Sequence, residues 1–442
     1  MRVNASARAH PEPVNRIAPG TGSGLSAALL PAADRARAWA GDELRALILS
    51  GSHATGEAVW AEFDGQRVSL SDLDLYAVLR TEPACRAARA RAAADRPRLA
   101  REALAWGLAA PLEVAFVTLD GLARMPARPG TVELVRSGRV LFGDAAVMER
   151  LPSWEPASIA GEERLLLLEN RAFELLSALA TGGAQAAASP SGAQAATSSS
   201  GAPAQPFAAS DAGSTRPMHD AVAALLARHA VLKTALDLAA VRTLVRGELP
   251  AGAAARVERA RELGAPASLP SWLERAWEGL EPLWQEALAW RSGATQALAP
   301  DAASAEWRAA TRAWSAVWWA ERERPDAQHD PWERALVAAA RAPLVRRVRR
   351  ALAPPVGDAP GTLARLRYAL AGTPQHRIHG SATVLLLAAA QSPHQPRLPA
   401  GALRALAQLG VTRSAEFAVA AAHTLRAWDR ELHAGLRTAA AS

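Results

Sequence analysis

Residues 44–57, LRALILSGSHATGE, and residues 71–79, SDLDLYAVL, decide how this chain is read. The apolar run Leu44 to Leu49 predicts a short buried strand that ends at Ser50-Gly51-Ser52. A second strand lies within Val68 to Leu79 and is entered through Ser71. Residues two apart on a strand share a face. Asp72 and Asp74 therefore project together, while Leu73 and Leu75 point the other way. Two carboxylates so spaced suit magnesium, which prefers oxygen ligands and combines one or two carboxylates with substrate phosphates. Gly51 at the strand end lets a phosphate approach backbone N–H groups closely, and Ser52 adds a hydroxyl donor.

An isolated Asp-x-Asp is common, and Asp72 taken alone reads as a turn or cap residue before a strand, so the next strand matters. Leu112 to Leu119 carries the β-favouring side chains Val114, Phe116 and Val117. Glu113 falls on one face with Ala115 and Val117. A charge on such a strand is costly unless it is paired, metal-bound or at an exposed strand end. If this strand neighbours the second, three carboxylates converge, as a two-metal site requires.

The order strand, Gly-Ser, helix, Asp-x-Asp strand, acidic strand resembles the DNA polymerase β-type nucleotidyltransferase superfamily. GSHATGE, SDLDLYAVL and LEVAFV carry the resemblance. RSGRVLFGD is similar to the element found after the third strand in small bacterial members. The resemblance covers about residues 30–150. It implies that Asp72 and Asp74 bind metal, and that Glu113 completes the site and helps deprotonate the acceptor. It also implies that Gly51 and Ser52 hold the β- and γ-phosphates. The spacing between Ser52 and Asp72 exceeds that of compact members, with Ala58 to Leu70 as an insertion.

The fold class expected is α+β: a nucleotidyltransferase-type mixed sheet with helices, then an all-α C-terminal region. Residues 1–24 read as a disordered N-terminus and 25–150 as the catalytic domain, with its first helix from Pro31 to Asp42. Residues 151–265 read as a helical domain interrupted by a disordered insertion at 181–216, rich in Ala, Gly, Ser, Gln and Pro. Residues 266–442 read as a tryptophan-rich helical domain, with breaks at Pro354-Pro355 and Pro393 to Pro399. Nine of fourteen tryptophans lie between Pro270 and Trp332. Their helical spacing and flanking acids favour helix–helix packing over base stacking.

The helical region is similar, less specifically, to domains that come after such catalytic units in antibiotic-modifying enzymes. There, a lysine reaches the triphosphate. All but one of the 50 basic residues are arginine, and the exception is Lys233, in VLKTALDLA. An ammonium is a compact point charge that a guanidinium does not replace at a phosphate. The alternative is a surface pair with Asp237, one turn along the helix.

The formal charge is +7, but arginines and acids are interspersed, which argues against nucleic acid as a partner. Cys85 is the only cysteine, which fits a reducing compartment and a small inert side chain. No signal-like apolar segment opens the chain, and stretches such as Val384 to Ala390 are too short for a bilayer. A cytoplasmic protein with no membrane contact is expected. His379-Gly380-Ser381 repeats the Gly-Ser pair without an Asp-x-Asp strand after it, and the histidines lack metal-ligand spacing.

The expected activity is magnesium-dependent transfer of a nucleoside monophosphate from a nucleoside triphosphate to a small-molecule or protein acceptor, releasing pyrophosphate, with two ions in the site. The alternative is an inactive nucleotide-binding or scaffolding protein whose helical region docks a partner. The sequence leaves acceptor, base and oligomeric state open.

Overall fold

The computed structural model describes residues 23–181, 216–321 and 374–438, apart from 64, 111, 266–268, 294–297, 392–396 and 410–413. The linker expected at 181–216 falls outside these residues except for its two end positions, and Trp332, the Pro354-Pro355 break and nearly all of the 1–24 segment also fall outside them.

The first helix, α1, spans Ser23–Ala40 and holds Pro31 inside it, so it starts earlier than the Pro31 start expected from sequence. Proline favours the first turn of a helix; here the helix passes through it, anchored by Ala32, Ala36 and Trp39 in the core. Next come β1 (Leu44–Ser50), α2 (Gly51–Thr55), β2 (Trp60–Phe63), β3 (Gln66–Ser69) and β4 (Leu73–Leu79). They are followed by α3 (Glu82–Ala105), β5 (Leu112–Thr118), α4 (Leu119–Ala123), α5 (Pro129–Ser137) and β6 (Arg139–Gly143). Four strands form a mixed sheet in the order β5-β4-β1-β6. β4 runs parallel to β5, and β1 runs antiparallel to both β4 and β6.

Strand alternation divides the sheet between two cores. Leu47, Leu49, Leu73, Leu75, Ala77, Leu79 and Phe116 bury with α1 and α3 on one face. Ala46, Ile48 and Val78 bury with Leu122, Leu134 and Val147 on the other. Cys85 lies in the first of these cores, and burial pushes its thiol up, in keeping with an inert packing role.

The insertion expected at Ala58 to Leu70 contains a hairpin, β2 paired antiparallel with β3. Val68 therefore belongs to the hairpin rather than to the Asp-x-Asp strand. Val59, Ala61, Val68 and Leu70 are buried in the core of the helical region, not in either core of the sheet. The insertion thus joins the two halves of the molecule.

The remaining helices are α6 (Gly161–Thr181), α7 (Arg216–Leu244), α8 (Ala253–Leu263), α9 (Ser271–Glu274) and α10 (Leu280–Arg291). They continue with α11 (Pro300–Glu321), α12 (Pro374–Gln391), α13 (Ala400–Leu409) and α14 (Phe417–Thr438). The centre is α7, packed against α6, α8, α10 and α11. Trp284, Trp290, Trp314 and Trp318 are fully buried. Trp307 and Trp314 donate their indole N–H groups to Leu175 O and Leu168 O of α6, each at 2.7 Å. Trp284 donates to Ala235 O of α7 at 2.8 Å. These indoles therefore fill a core and satisfy their polar edge inside it, as helix packing requires. Among the described residues, no helix is long and apolar enough to cross a membrane.

Candidate functional site

Strand register builds the site. Asp74 of β4 stands opposite Ser50 of β1 on one side and Glu113 of β5 on the other. Tyr76, next on the same face of β4, stands opposite Ala115. Ser50, Gly51, Asp74, Tyr76, Glu113 and Glu133 line a cleft of about 360 Å3. Asp72 sits just before β4.

Gly51 has a φ of +67°, a left-handed conformation that side chains resist. A Cβ there would meet Oδ2 of Asp74 at 2.3 Å. The glycine is thus required twice, by its backbone and by its acidic neighbour. Ser52 is one residue farther round the turn, where its carbonyl accepts from Glu57 N at 2.9 Å and Thr55 Oγ1 at 3.1 Å.

The segment leading into Asp72 is fixed from below. His53 is buried, and its Nε2 lies 3.1 Å from Ser69 Oγ and 3.4 Å from Ser71 O. The Ser71 hydroxyl accepts from Val59 N at 2.9 Å. Burial pushes the His53 imidazole down, so it serves as a neutral brace.

The helical region reaches the acids through one side chain. Lys233 of α7 donates from Nζ to Asp72 Oδ2 at 2.7 Å. Of the two readings of Lys233, the geometry gives the one turned toward the paired aspartates rather than toward Asp237. Asp237, its supposed surface partner, pairs instead with Arg171 Nε at 2.9 Å, and Arg171 also pairs with Glu174. His229, one turn before Lys233, is buried and pushed down to about 3 by burial and by the Lys233 charge. Its Nδ1 accepts from the Trp290 indole at 3.2 Å, which places the imidazole proton on Nε2.

The acids differ in their state. Burial raises Asp72, but the Lys233 ammonium outweighs it and holds the carboxyl below its usual range. Asp74 has no bonded ammonium among the described residues. Burial, then the charges of Asp72 and Glu113, push it up to about 7. Burial and the Asp72 charge also raise Glu113. Glu113 also reaches solvent at the cleft edge, so its strand position carries only part of the desolvation cost inferred from sequence. Among the described residues, no three or more Asp, Glu, His or Cys side chains form a ready metal cage. The donor set still suits a hard cation. Asp72, Asp74 and Glu113 are oxygen ligands whose mutual repulsion a divalent ion would relieve, and magnesium leaves coordination positions for phosphates.

Four further contacts tie the sheet region to the helical region. Glu57 accepts from Ala253 N at 2.8 Å and from Arg291 Nη1 at 2.9 Å. Glu133 pairs with Arg256, and Arg136 donates to Leu249 O. Ser50, Tyr76, Glu57 and Glu133 are site residues that the sequence alone does not mark. Ser50 is visible there as a strand end, but its place beside Asp74 depends on strand pairing. Glu133 belongs to no local motif and arrives through the fold of α5. No family model matches the chain, and no curated protein or solved structure matches it.

Proposed function

We propose that the chain is a nucleotidyltransferase of the DNA polymerase β type, moving a nucleoside monophosphate from a nucleoside triphosphate to a small-molecule or protein acceptor. The observation that carries this reading is the register that sets Asp74 between Ser50-Gly51 and Glu113, with Asp72 beside it and Lys233 opposite. In the reaction, an acceptor oxygen or nitrogen bonds to the α-phosphorus and the bond to the β-phosphate oxygen breaks. Pyrophosphate leaves, and Glu113, exposed at the cleft edge, takes the acceptor proton. Asp72 and Asp74 would hold magnesium, which supplies charge neutralisation at the α-phosphate and leaving group. Gly51 leaves room for a phosphate against the backbone, Ser52 offers its hydroxyl, and Lys233 provides positive charge from the helical region.

A second reading, an inactive nucleotide-binding or scaffolding protein, draws support from the ion pair that already neutralises Asp72. One experiment separates them. The full chain is incubated with each α-labelled nucleoside triphosphate and a cell extract, with and without magnesium. Magnesium-dependent label transfer, lost in Asp74→Asn, is the expected result. Nucleotide binding without transfer to any acceptor would favour the second reading.

A further inference from the structure

We propose that Lys233 is the resident counter-ion of Asp72 in the metal-free protein, and that a divalent cation displaces it toward the triphosphate. This inference rests on the metal role given to Asp72 above. It goes further in assigning Lys233 two successive partners and making metal and nucleotide binding depend on each other.

The geometry supports displacement in three ways. First, Nζ is 2.7 Å from Asp72 Oδ2, a direct charge-assisted hydrogen bond to one of the two oxygens that a metal could take. An ammonium and a divalent ion cannot share that lone pair, since magnesium binds at about 2.0–2.1 Å and the two cations repel. Second, the pair is open to solvent, with side-chain exposures of 24% for Lys233 and 31% for Asp72. A hydrated ion can therefore reach the carboxylate without unfolding the cleft. Third, the nearest acids of the helical region are already shared with a guanidinium. Asp237 and Glu174 are both engaged by Arg171, and His229 is neutral. The other groups facing the ammonium are Asp74, Glu113 and the Arg171 guanidinium, which Glu174 and Asp237 hold. With Asp72 and Asp74 on metal, the strongest remaining anion is the triphosphate. A lysine stem of four rotatable carbons can make that short move, whereas a guanidinium fork would keep its hold on the carboxylate.

The consequence is reciprocal coupling. Metal frees Lys233 for phosphate, and phosphate draws Lys233 off the metal's ligand. Removing the ammonium should therefore act in opposite directions on the two partners. The test measures Mn2+ binding to the full chain by the loss of the free-ion electron paramagnetic resonance signal, first without nucleotide, then with ATP. Lys233→Met and Lys233→Gln are compared with wild type, the second keeping a polar tip without charge. Asp72→Asn marks binding at this site.

In either variant, Mn2+ alone should bind roughly three- to tenfold more tightly, the span that a partly exposed ion pair withholds. Binding of the Mn2+–ATP complex should weaken. Unchanged or weaker Mn2+ binding in the folded variants would overturn the displacement while leaving the metal site in place. Absence of Mn2+ binding at Asp72 in wild type, with ATP as well as without, would overturn the metal reading itself and this inference with it.

Discussion

Gly51 and Asp74 exclude any larger pair: a β-carbon on the glycine would stand 2.3 Å from the aspartate Oδ2. The clash is with the tip of a side chain, so Asp74 has to swing away, and the positive φ adds about 1–2 kcal/mol of backbone strain for alanine. Gly51→Ala should therefore cost little more than that strain in urea unfolding, yet abolish nucleotide transfer. In the Gly51→Ala/Asp74→Ala double variant the steric part disappears, so the two stability changes should fall short of additivity. Full additivity would mean that the two residues do not touch.

Asp74 should also make the metal-free protein pH-sensitive. Its carboxyl is raised from 3.8 to about 7 in the folded state, chiefly by burial and then by Asp72 and Glu113. The fold therefore favours the protonated form. That contribution is complete below the ordinary value and is lost as pH rises through about 7. In EDTA, wild type should weaken between pH 4 and pH 8, and Asp74→Asn should flatten that slope. At pH 8 the variant should be the more stable by on the order of 1–3 kcal/mol. Parallel urea midpoints for the two proteins across this range would refute the raised carboxyl.

How much of this site is legible in the sequence depends on distance along the chain. Leu73 and Leu75 against Asp72 and Asp74 is a period-two pattern, and the sheet reproduces it because the pleat itself sets that period. Lys233 stands out by composition alone, and α7 brings it to Asp72. Pairing across strands is another matter. The parallel match of Asp74 with Glu113 and the antiparallel match with Ser50 depend on which strands become neighbours, and no local signal records that. The start of α1 is hidden because Pro31 carries a strong local rule that packing of Ala32 and Ala36 overrides. The insertion is recognisable as extra length, but its destination in another core is invisible.

Glu57 ties the two halves at a second point. Its carboxylate accepts from Ala253 N and from Arg291, both part-buried. Glu57→Ala removes an acceptor for two donors, one of them charged. The expected cost is about 1 kcal/mol, reduced from the buried range because water reaches the pair. The guanidinium of Arg291 should then become more mobile, read as faster exchange of its Nε proton by NMR. A variant with wild-type urea midpoint and unchanged exchange would show that this contact does not hold the two halves together.

The hairpin at Trp60–Phe63 and Gln66–Ser69 offers the sharpest test of how the molecule is assembled. As an insertion before the Asp-x-Asp strand, it invites a role in choosing the acceptor of the proposed reaction. Its burial says otherwise. Leu70 and Val68 are fully enclosed within the core that α6, α7 and the tryptophans build, while Gln66 and Arg67 at the turn are exposed. Leu70→Ala should therefore destabilise the protein by about 2–5 kcal/mol, the range for an enclosed leucine. Arg67→Ala at the exposed tip, which gives up a contact over the Trp60 ring, should cost no more than about 1 kcal/mol. Because the hairpin also braces Ser71 through Ser69 and His53, Leu70→Ala should lower kcat as well as stability. An acceptor loop predicts the reverse: Arg67→Ala would raise KM for the acceptor, and Leu70→Ala would leave the urea midpoint in place. Limited proteolysis adds an independent reading. If the hairpin is a structural joint, Leu70→Ala should expose cleavage sites in α6 and α7 along with those in the hairpin, since their shared core loosens as a unit.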